Sequence, residues 1–189
     1  MFPRGETWGV HFIYDAYRIK RVLYEDRRTW HAGGPANSTY FSSKMCEAHT
    51  MRYNEDYSVK GDYVPQDPGN HAYFNAALRN GVRLCIYLCI KYDITPANIL
   101  SHAEGYQQGI ASNHSDPTHW WSLHGVTMDV FRNLVERGLA GENVAFNYGP
   151  LAGGDPVQVV DEIVEHEDPA RVVDEFLERG DPAQLDDEF

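Results

Sequence analysis

Side chains near the N-terminus alternate between apolar and polar, which is the pattern of half-buried β-strands. Phe12 and Tyr14 fall on one face of such a strand, and residues 9–24 predict two strands around a turn near Asp15. A third strand is predicted over residues 39–46. The N-terminal part of the chain therefore predicts a small β-sheet.

The pattern becomes helical after a polar stretch. Residues 52–69 are mostly polar and contain two prolines, which predicts a long surface loop. Asn70 is a suitable cap for a helix that continues to about Tyr92. Apolar residues surround the second half of this helix, so we expect it to be the central buried helix.

Shorter elements follow. Ile99 and Leu100 predict a short strand that ends at His102, and residues 103–108 predict a short helix. Another helix is predicted over residues 125–138, where apolar side chains share one face. Strands in the first half, and a strand between helices in the second, predict an α/β fold with a mixed central β-sheet flanked by helices.

The chain divides into a nearly neutral body and an acidic tail. Of the net charge of −12, residues 155–189 carry −11. Each Asp-Pro pair in this tail is a helix start signal. Three such pairs begin thirteen residues apart, at Asp155, Asp168 and Asp181. We predict a folded domain over residues 1–150 and a helical acidic tail over 151–189, which is either a solvated extension or a docking arm for an unassigned partner.

Composition excludes several classes of protein. Neither the body nor the tail has the basic surface of a nucleic-acid-binding protein, and no apolar run is long enough to cross a membrane. The first residues show no basic region followed by an apolar one, so we expect no secretory signal. The three cysteines do not have the spacing of a disulfide framework. Cys85 and Cys89 are expected to be small buried residues of the long helix.

One stretch concentrates the residue types of a catalytic metal site. His102 is followed, twelve residues later, by His114-Ser-Asp116-Pro. Residues two apart in an extended segment point the same way, so His114 and Asp116 can face one site together. Imidazole and carboxylate are zinc ligands, and zinc with three protein ligands activates water and polarises a carbonyl. Spacing alone leaves both a metal site and ordinary hydrogen-bonded histidines open.

Several motifs occur in order over roughly residues 9–135. They are Gly-Val-His-Phe-Ile (9–13), Thr-Trp-His-Ala-Gly (29–33), Asn-Ser-Thr-Tyr-Phe-Ser-Ser-Lys-Met-Cys (37–46), Lys-Tyr-Asp-Ile (91–94), Ser-His (101–102) and His-Ser-Asp-Pro (114–117) before Trp-Trp (120–121). In this order they resemble the zinc-dependent N-acetylmuramoyl-L-alanine amidases. That family includes phage endolysins and is related to the peptidoglycan recognition proteins.

The resemblance implies an amidase-like fold over 1–150 and hydrolysis of the N-acetylmuramoyl-L-alanine bond of peptidoglycan by zinc-activated water. It implies that His102 and Asp116 are Zn²⁺ ligands. His114 would stabilise the developing oxyanion or protonate the leaving amine. Trp30 and His31 would line the substrate groove. Peptidoglycan is then the partner, with no nucleic acid and no membrane, and a lysin of this kind is expected to stay cytoplasmic until it is released onto the cell wall.

Three departures from the family pattern bear on activity. The family's first zinc histidine lies on a strand upstream of the one that carries His11, and no histidine precedes His11 here. Val10 stands where many members have a catalytic tyrosine, and Lys44 stands where they have a glutamate. Either the N-terminal strand is missing, or His11 or His31 is the first ligand, or the protein is a catalytically impaired peptidoglycan-binding module.

Overall fold

A computed structural model describes residues 7–55 and 59–146, and the β-structure lies in the N-terminal part of this range. The strands are β1 (Thr7–Trp8), β2 (Phe12–Tyr14), β3 (Ile19–Arg21), β4 (Thr29–Trp30) and β5 (Ser43–Met45). The order β3-β2-β5 makes a mixed sheet, because β2 is antiparallel to β3 and parallel to β5. A separate parallel pair joins β1 to β4. The predicted hairpin and third strand are confirmed, and all three strands are shorter than predicted.

Within the described residues, four α-helices follow the sheet. They are α1 (Pro68–Tyr92), α2 (His102–Gln107), α3 (Thr118–Trp121) and α4 (Met128–Leu139). Short 3-10 helical turns lie at Pro35–Ser38, Pro96–Asn98 and Ser122–His124. The small mixed sheet and the helices confirm the predicted α/β fold.

The long helix begins earlier than the sequence indicated. Its N-cap is Asp67, whose carboxylate accepts hydrogen bonds from the backbone amides of Gly69 and Asn70. Pro68 occupies the first helical position, where its missing N–H has no helical partner to lose. The prediction of Asn70 as the cap was wrong, because Asn70 is buried and its side chain donates to the Val64 carbonyl instead.

The buried face of α1 is centred differently from the prediction. Phe74 and Leu78, in its first half, are fully buried, whereas Ile90 near its end is half exposed. Val82 and Cys89 in the second half are buried as expected. Gly81 has a packing reason, since a Cβ there would lie 2.8 Å from the Tyr14 hydroxyl oxygen on β2. The helix therefore packs directly on the sheet at this glycine.

The segment before His102 is not a strand. Ile99 ends a 3-10 turn in an extended conformation, and Ser101 is the N-cap of α2, so His102 is the first residue of a helix. Two apolar residues were too short a signal to distinguish a strand from an extended link, and the Ser101–Glu104 capping pattern is the one that prevails. The predicted short helix over 103–108 is confirmed with α2.

Helix α4 confirms the predicted apolar face. Phe131, Leu134 and Val135 are buried, and Val126 is buried just before the helix starts. No helix among the described residues is long and apolar enough to cross a membrane. The predicted tail with its Asp-Pro repeats lies outside the described residues.

Candidate functional site

His102 is held by the start of α2. The Ser101 side chain accepts from the Glu104 amide, and the Glu104 carboxylate accepts from the Ser101 amide at 2.9 Å, which completes a capping box. Arg132 of α4 donates to the same carboxylate at 2.9 Å and to the Ile99 carbonyl at 3.0 Å. These bonds fix the first turn of α2 against α4 and so place the His102 ring.

The loop after β4 packs against the segment that follows α2. The Ser112 amide donates to the Ala32 carbonyl at 2.7 Å, and the Ser112 hydroxyl oxygen lies 3.1 Å from Nε2 of His102. Gly34 permits this approach, since a Cβ there would lie 2.5 Å from the Ile110 carbonyl oxygen. The loop that carries His31 is thereby brought beside His102.

Asp116 lies between the Lys44 ammonium and the His119 ring. Its Oδ2 is 2.9 Å from Nζ of Lys44 on β5, and its Oδ1 is 3.5 Å from Nδ1 of His119 on α3. Burial acts to raise the pKa of Asp116, but the hydrogen bond from Lys44 and the neighbouring positive charges outweigh it and lower that pKa. The Asp116 backbone carbonyl accepts from the His102 amide at 3.0 Å, so the two predicted ligand residues are neighbours.

His119 connects Asp116 to a second carboxylate. Its Nε2 lies 2.9 Å from Oε1 of Glu47, and the Tyr53 hydroxyl donates to Oε2 of Glu47 at 2.6 Å. The hydrogen bond with Glu47 is the main cause that raises the pKa of His119. Burial acts to raise the pKa of Glu47, yet the bonds from His119 and Tyr53 hold it below its usual value. We call Lys44, Glu47, Asp116 and His119 the Asp116 cluster.

A second set of polar side chains, separate from the Asp116 cluster, lies beside the loop that follows β4. Nε2 of His11 donates to the Arg27 carbonyl at 2.8 Å, and Nδ1 accepts from the Ser42 amide at 3.0 Å. The Thr29 hydroxyl oxygen lies 3.0 Å from that of Ser42 and 2.8 Å from Nδ1 of His31. We call His11, Thr29, His31 and Ser42 the buried histidine network. Both ring nitrogens of His11 are engaged, so this ring is a structural group of the sheet.

His31 belongs to the buried histidine network and also lines the groove. Burial, with a smaller contribution from the charge of His11, lowers the pKa of His31 to about 4, so the ring is neutral at pH 7. Its backbone amide donates to the side-chain oxygen of Asn37 at 3.0 Å, which fixes the loop. The predicted groove position of His31 is therefore compatible with the structure, and its substrate role stays a prediction.

The other predicted site residues lie further out. The exposed His114 ring has its centroid 5.0 Å from that of His102. Burial, and then the neighbouring His114, lower the pKa of His102. Trp30 is 38% exposed and packs under the Arg28 guanidinium, which lies 5.3 Å from its ring centroid. Neither His114 nor Trp30 is among the residues that line the groove.

The groove itself is a cavity of about 590 Å³ between the sheet and the helices. Its polar lining includes His31, Lys44, Glu47, His102, Asp116 and His119. Trp120 and Trp121 form part of its floor but are 1% and 2% exposed, and their indole N–H groups donate to the Tyr63 hydroxyl and the Met45 sulfur. The tryptophan pair is thus core packing that anchors the Asp116 segment.

The side chains around His102 fit zinc in type but not in arrangement. Imidazoles and a carboxylate are suitable ligands. Within residues 7–55 and 59–146, however, no group of three or more His, Cys, Asp or Glu side chains is placed to hold a metal ion. Lys44 also occupies one oxygen of the Asp116 carboxylate. The described part of the chain therefore does not form a complete zinc site.

An α/β domain whose groove collects imidazoles and carboxylates has side chains suited to acid–base or metal-assisted hydrolysis. The family model for N-acetylmuramoyl-L-alanine amidase matches residues 3–119, which is more than half of the chain, and the protein belongs to this family. Its class is therefore a peptidoglycan amidase-type hydrolase of the cell wall, as the ordered motifs indicated. No curated protein and no solved structure matches the chain.

Sequence reasoning missed part of the groove. Lys44 was noted only as a departure from a family pattern, and Glu47, His119 and Tyr53, which donates to Glu47, were not predicted as site residues. The spacing of Asp116 and His119 was an available signal, because residues three apart at the start of a helix lie on one face. The pairing of Lys44 with Asp116 joins residues far apart in the chain, and local pattern contains no information on it.

Proposed function

We propose that this protein cleaves the amide bond between N-acetylmuramic acid and L-alanine in peptidoglycan. The observation that carries the proposal is the family match over residues 3–119, which covers most of the groove lining and includes both His102 and Asp116. Amide hydrolysis requires a polarised carbonyl, an attacking water and a proton for the leaving nitrogen. The groove contains imidazole side chains suited to supplying a proton to the leaving nitrogen.

We assign roles to the groove residues as part of this proposal. His102 and Asp116 are the chain's own contribution to a zinc site, and Lys44 must leave Asp116 for that carboxylate to serve. A zinc ion held by these residues would supply an activated water and polarise a carbonyl. His114, whose ring centroid lies 5.0 Å from that of His102, is assigned the role of donating a proton to the oxyanion or to the leaving amine. His31 contacts the substrate from the loop after β4, and Trp30, at the end of β4 and outside the groove lining, contacts a part of the substrate that extends beyond the groove.

A second function, peptidoglycan binding without cleavage, is favoured by a specific observation. The Asp116 carboxylate is bonded to the Lys44 ammonium, and no set of three metal-binding side chains is arranged in the described residues. Loss of catalysis would leave the cavity and its polar lining able to hold a muramoyl-peptide. The two functions share one site and differ in whether a bond breaks.

The deciding experiment incubates the full 189-residue chain with purified peptidoglycan in the presence of Zn²⁺. Amidase action releases stem peptides with a free L-alanine amino group and produces no new reducing sugar ends. Asp116→Asn is the inactive control, and His49→Ala, at an exposed histidine, is the matched active control. Sedimentation with peptidoglycan but no new amino groups would establish the binding module, and neither release nor binding would reject both functions.

A further inference from the structure

The Lys44 ammonium occupies the position beside the Asp116 carboxylate that a bound metal ion would need. Its Nζ lies 2.9 Å from Oδ2 of Asp116. The backbone of Lys44 is fixed by the pairing of β5 with β2, in which it is registered with Ile13. The Lys44 and Asp116 side chains both line the groove, together with His102. The lysine is therefore held at this carboxylate by the sheet.

A metal ion and the Lys44 ammonium compete for the Asp116 carboxylate. A divalent cation on Asp116 would have to displace a hydrogen-bonded ammonium and would then be repelled by its charge at short range. The other carboxylate oxygen faces His119, whose ring is held in turn by Glu47. Both oxygens of Asp116 thus already have partners within the Asp116 cluster.

We propose that Lys44 is an internal competitor for Asp116, and that its ammonium keeps divalent metal ions out of the groove unless it is displaced. The lysine thereby sets the metal affinity of the site. The inference concerns the same groove as the proposed function, but it needs no substrate and no catalysis. It attributes to one residue a part of the disagreement between the family's zinc dependence and the arrangement of this chain, in addition to the lack of a third ligand among the described residues.

The test is a Zn²⁺ titration of the full chain by calorimetry, with Co²⁺ absorption as a second readout of coordination. Removing the charge with Lys44→Gln is expected to raise the Zn²⁺ affinity by about tenfold or more, because the competing partner and its repulsion are both lost. Lys44→Arg keeps the positive charge and should behave like the parent chain. Lys20→Gln, at an exposed lysine on β3 of the same sheet, is the matched control for net charge.

Asp116→Asn in the Lys44→Gln background should abolish the gain, which separates this site from zinc bound elsewhere on the acidic chain. Circular dichroism verifies that each variant is folded. Equal Zn²⁺ affinity for the parent chain and Lys44→Gln, including no binding by either, would overturn the proposal. So would an equal gain in Lys20→Gln. None of these results depends on peptidoglycan, so failure here is distinguishable from failure of the amidase assay.

Discussion

The buried histidine network and the Asp116 cluster both place imidazoles near the groove, and they differ in what satisfies their polar atoms. His11 is 2% exposed and bonds to protein atoms through both ring nitrogens. Asp116 is 36% exposed at its side chain and is shared by the Lys44 ammonium and the His119 ring. Buried polar groups need fixed partners inside the protein, whereas partly exposed groups can exchange partners with solvent or ligand.

Structural and functional histidines of this protein can be separated by the partners of their ring nitrogens and by their exposure. The residue type is the same in both regions, and only the surroundings distinguish them. A ring with both nitrogens bonded to backbone groups stabilises the sheet, and its replacement should affect folding. A partly exposed ring beside a carboxylate in a cavity should affect ligand binding or activity and leave folding nearly unchanged. Four substitutions test this separation.

The largest expected effect is that of His102→Ala on activity. Loss of the imidazole beside Asp116 should lower the release of stem peptides by about 100-fold, as for other groups at metal or proton-transfer sites. Its free energy of unfolding should change by less than about 1 kcal/mol, since the ring is only partly buried. Peptidoglycan digestion and urea unfolding measure the two quantities. Full activity in this variant would remove His102 from the site.

The opposite result is expected for His11→Ala. The substitution leaves the Arg27 carbonyl and the Ser42 amide without their imidazole partner in a buried place, and should cost about 2 kcal/mol of stability. Urea unfolding measures this loss, and His49→Ala, at an exposed histidine, should stay within about 0.5 kcal/mol of the parent. A similarly small effect of His11→Ala would contradict its structural role.

The ion pairs of the buried Glu25 and of the partly exposed Asp116 allow the same comparison, with smaller expected effects on stability. Glu25 has a side chain only 7% exposed and lies 3.1 Å from Nζ of Lys91 and 3.4 Å from Nε of Arg21. Burial acts to raise the pKa of Glu25, but a backbone hydrogen bond and these cations outweigh it and lower that pKa. Glu25→Gln should therefore cost about 1–2 kcal/mol of stability at pH 7.

The pH dependence of this loss has a definite sign. A carboxyl whose pKa is lower in the folded state stabilises the protein fully above its unfolded pKa, and the contribution disappears as the pH falls through the folded value. The difference between the parent and Glu25→Gln should thus be present at pH 7 and shrink on acidification below about pH 4. Urea unfolding at a series of pH values checks this, and a difference that grows in acid would reverse the assignment.

The smallest expected effect is that of Lys44→Gln on stability. Its side chain is 58% exposed and that of Asp116 is 36% exposed, so the ion pair between them should contribute less than about 0.5 kcal/mol. Urea unfolding of Lys44→Gln should accordingly match that of Lys20→Gln. A loss of stability comparable to that of Glu25→Gln would mean that Lys44 and Asp116 form a structural ion pair. That result would contradict the distinction between buried groups that stabilise the fold and partly exposed groups of the groove.

Local pattern was sufficient for much of the fold. The hairpin, the third strand, the long helix and α4 follow from alternation and helical periodicity, because the burial of one face requires that spacing. It failed where several local signals competed. Asp67 rather than Asn70 caps α1, and the Ser101–Glu104 capping box converts the expected strand end at His102 into a helix start. Cap geometry depends on hydrogen bonds that hydrophobic pattern does not record.

The α/β class, the contrast between a neutral body and an acidic tail and, through ordered motifs, membership of the amidase family all follow from the amino-acid sequence. Which polar residues meet depends on how the strands and helices pack. This packing places Lys44 of β5 on Asp116, engages both nitrogens of His11, and buries the tryptophan pair beneath the groove. The physical reason is that secondary structure follows from local spacing, whereas ion pairs and hydrogen bonds between distant segments form only when strands and helices have packed.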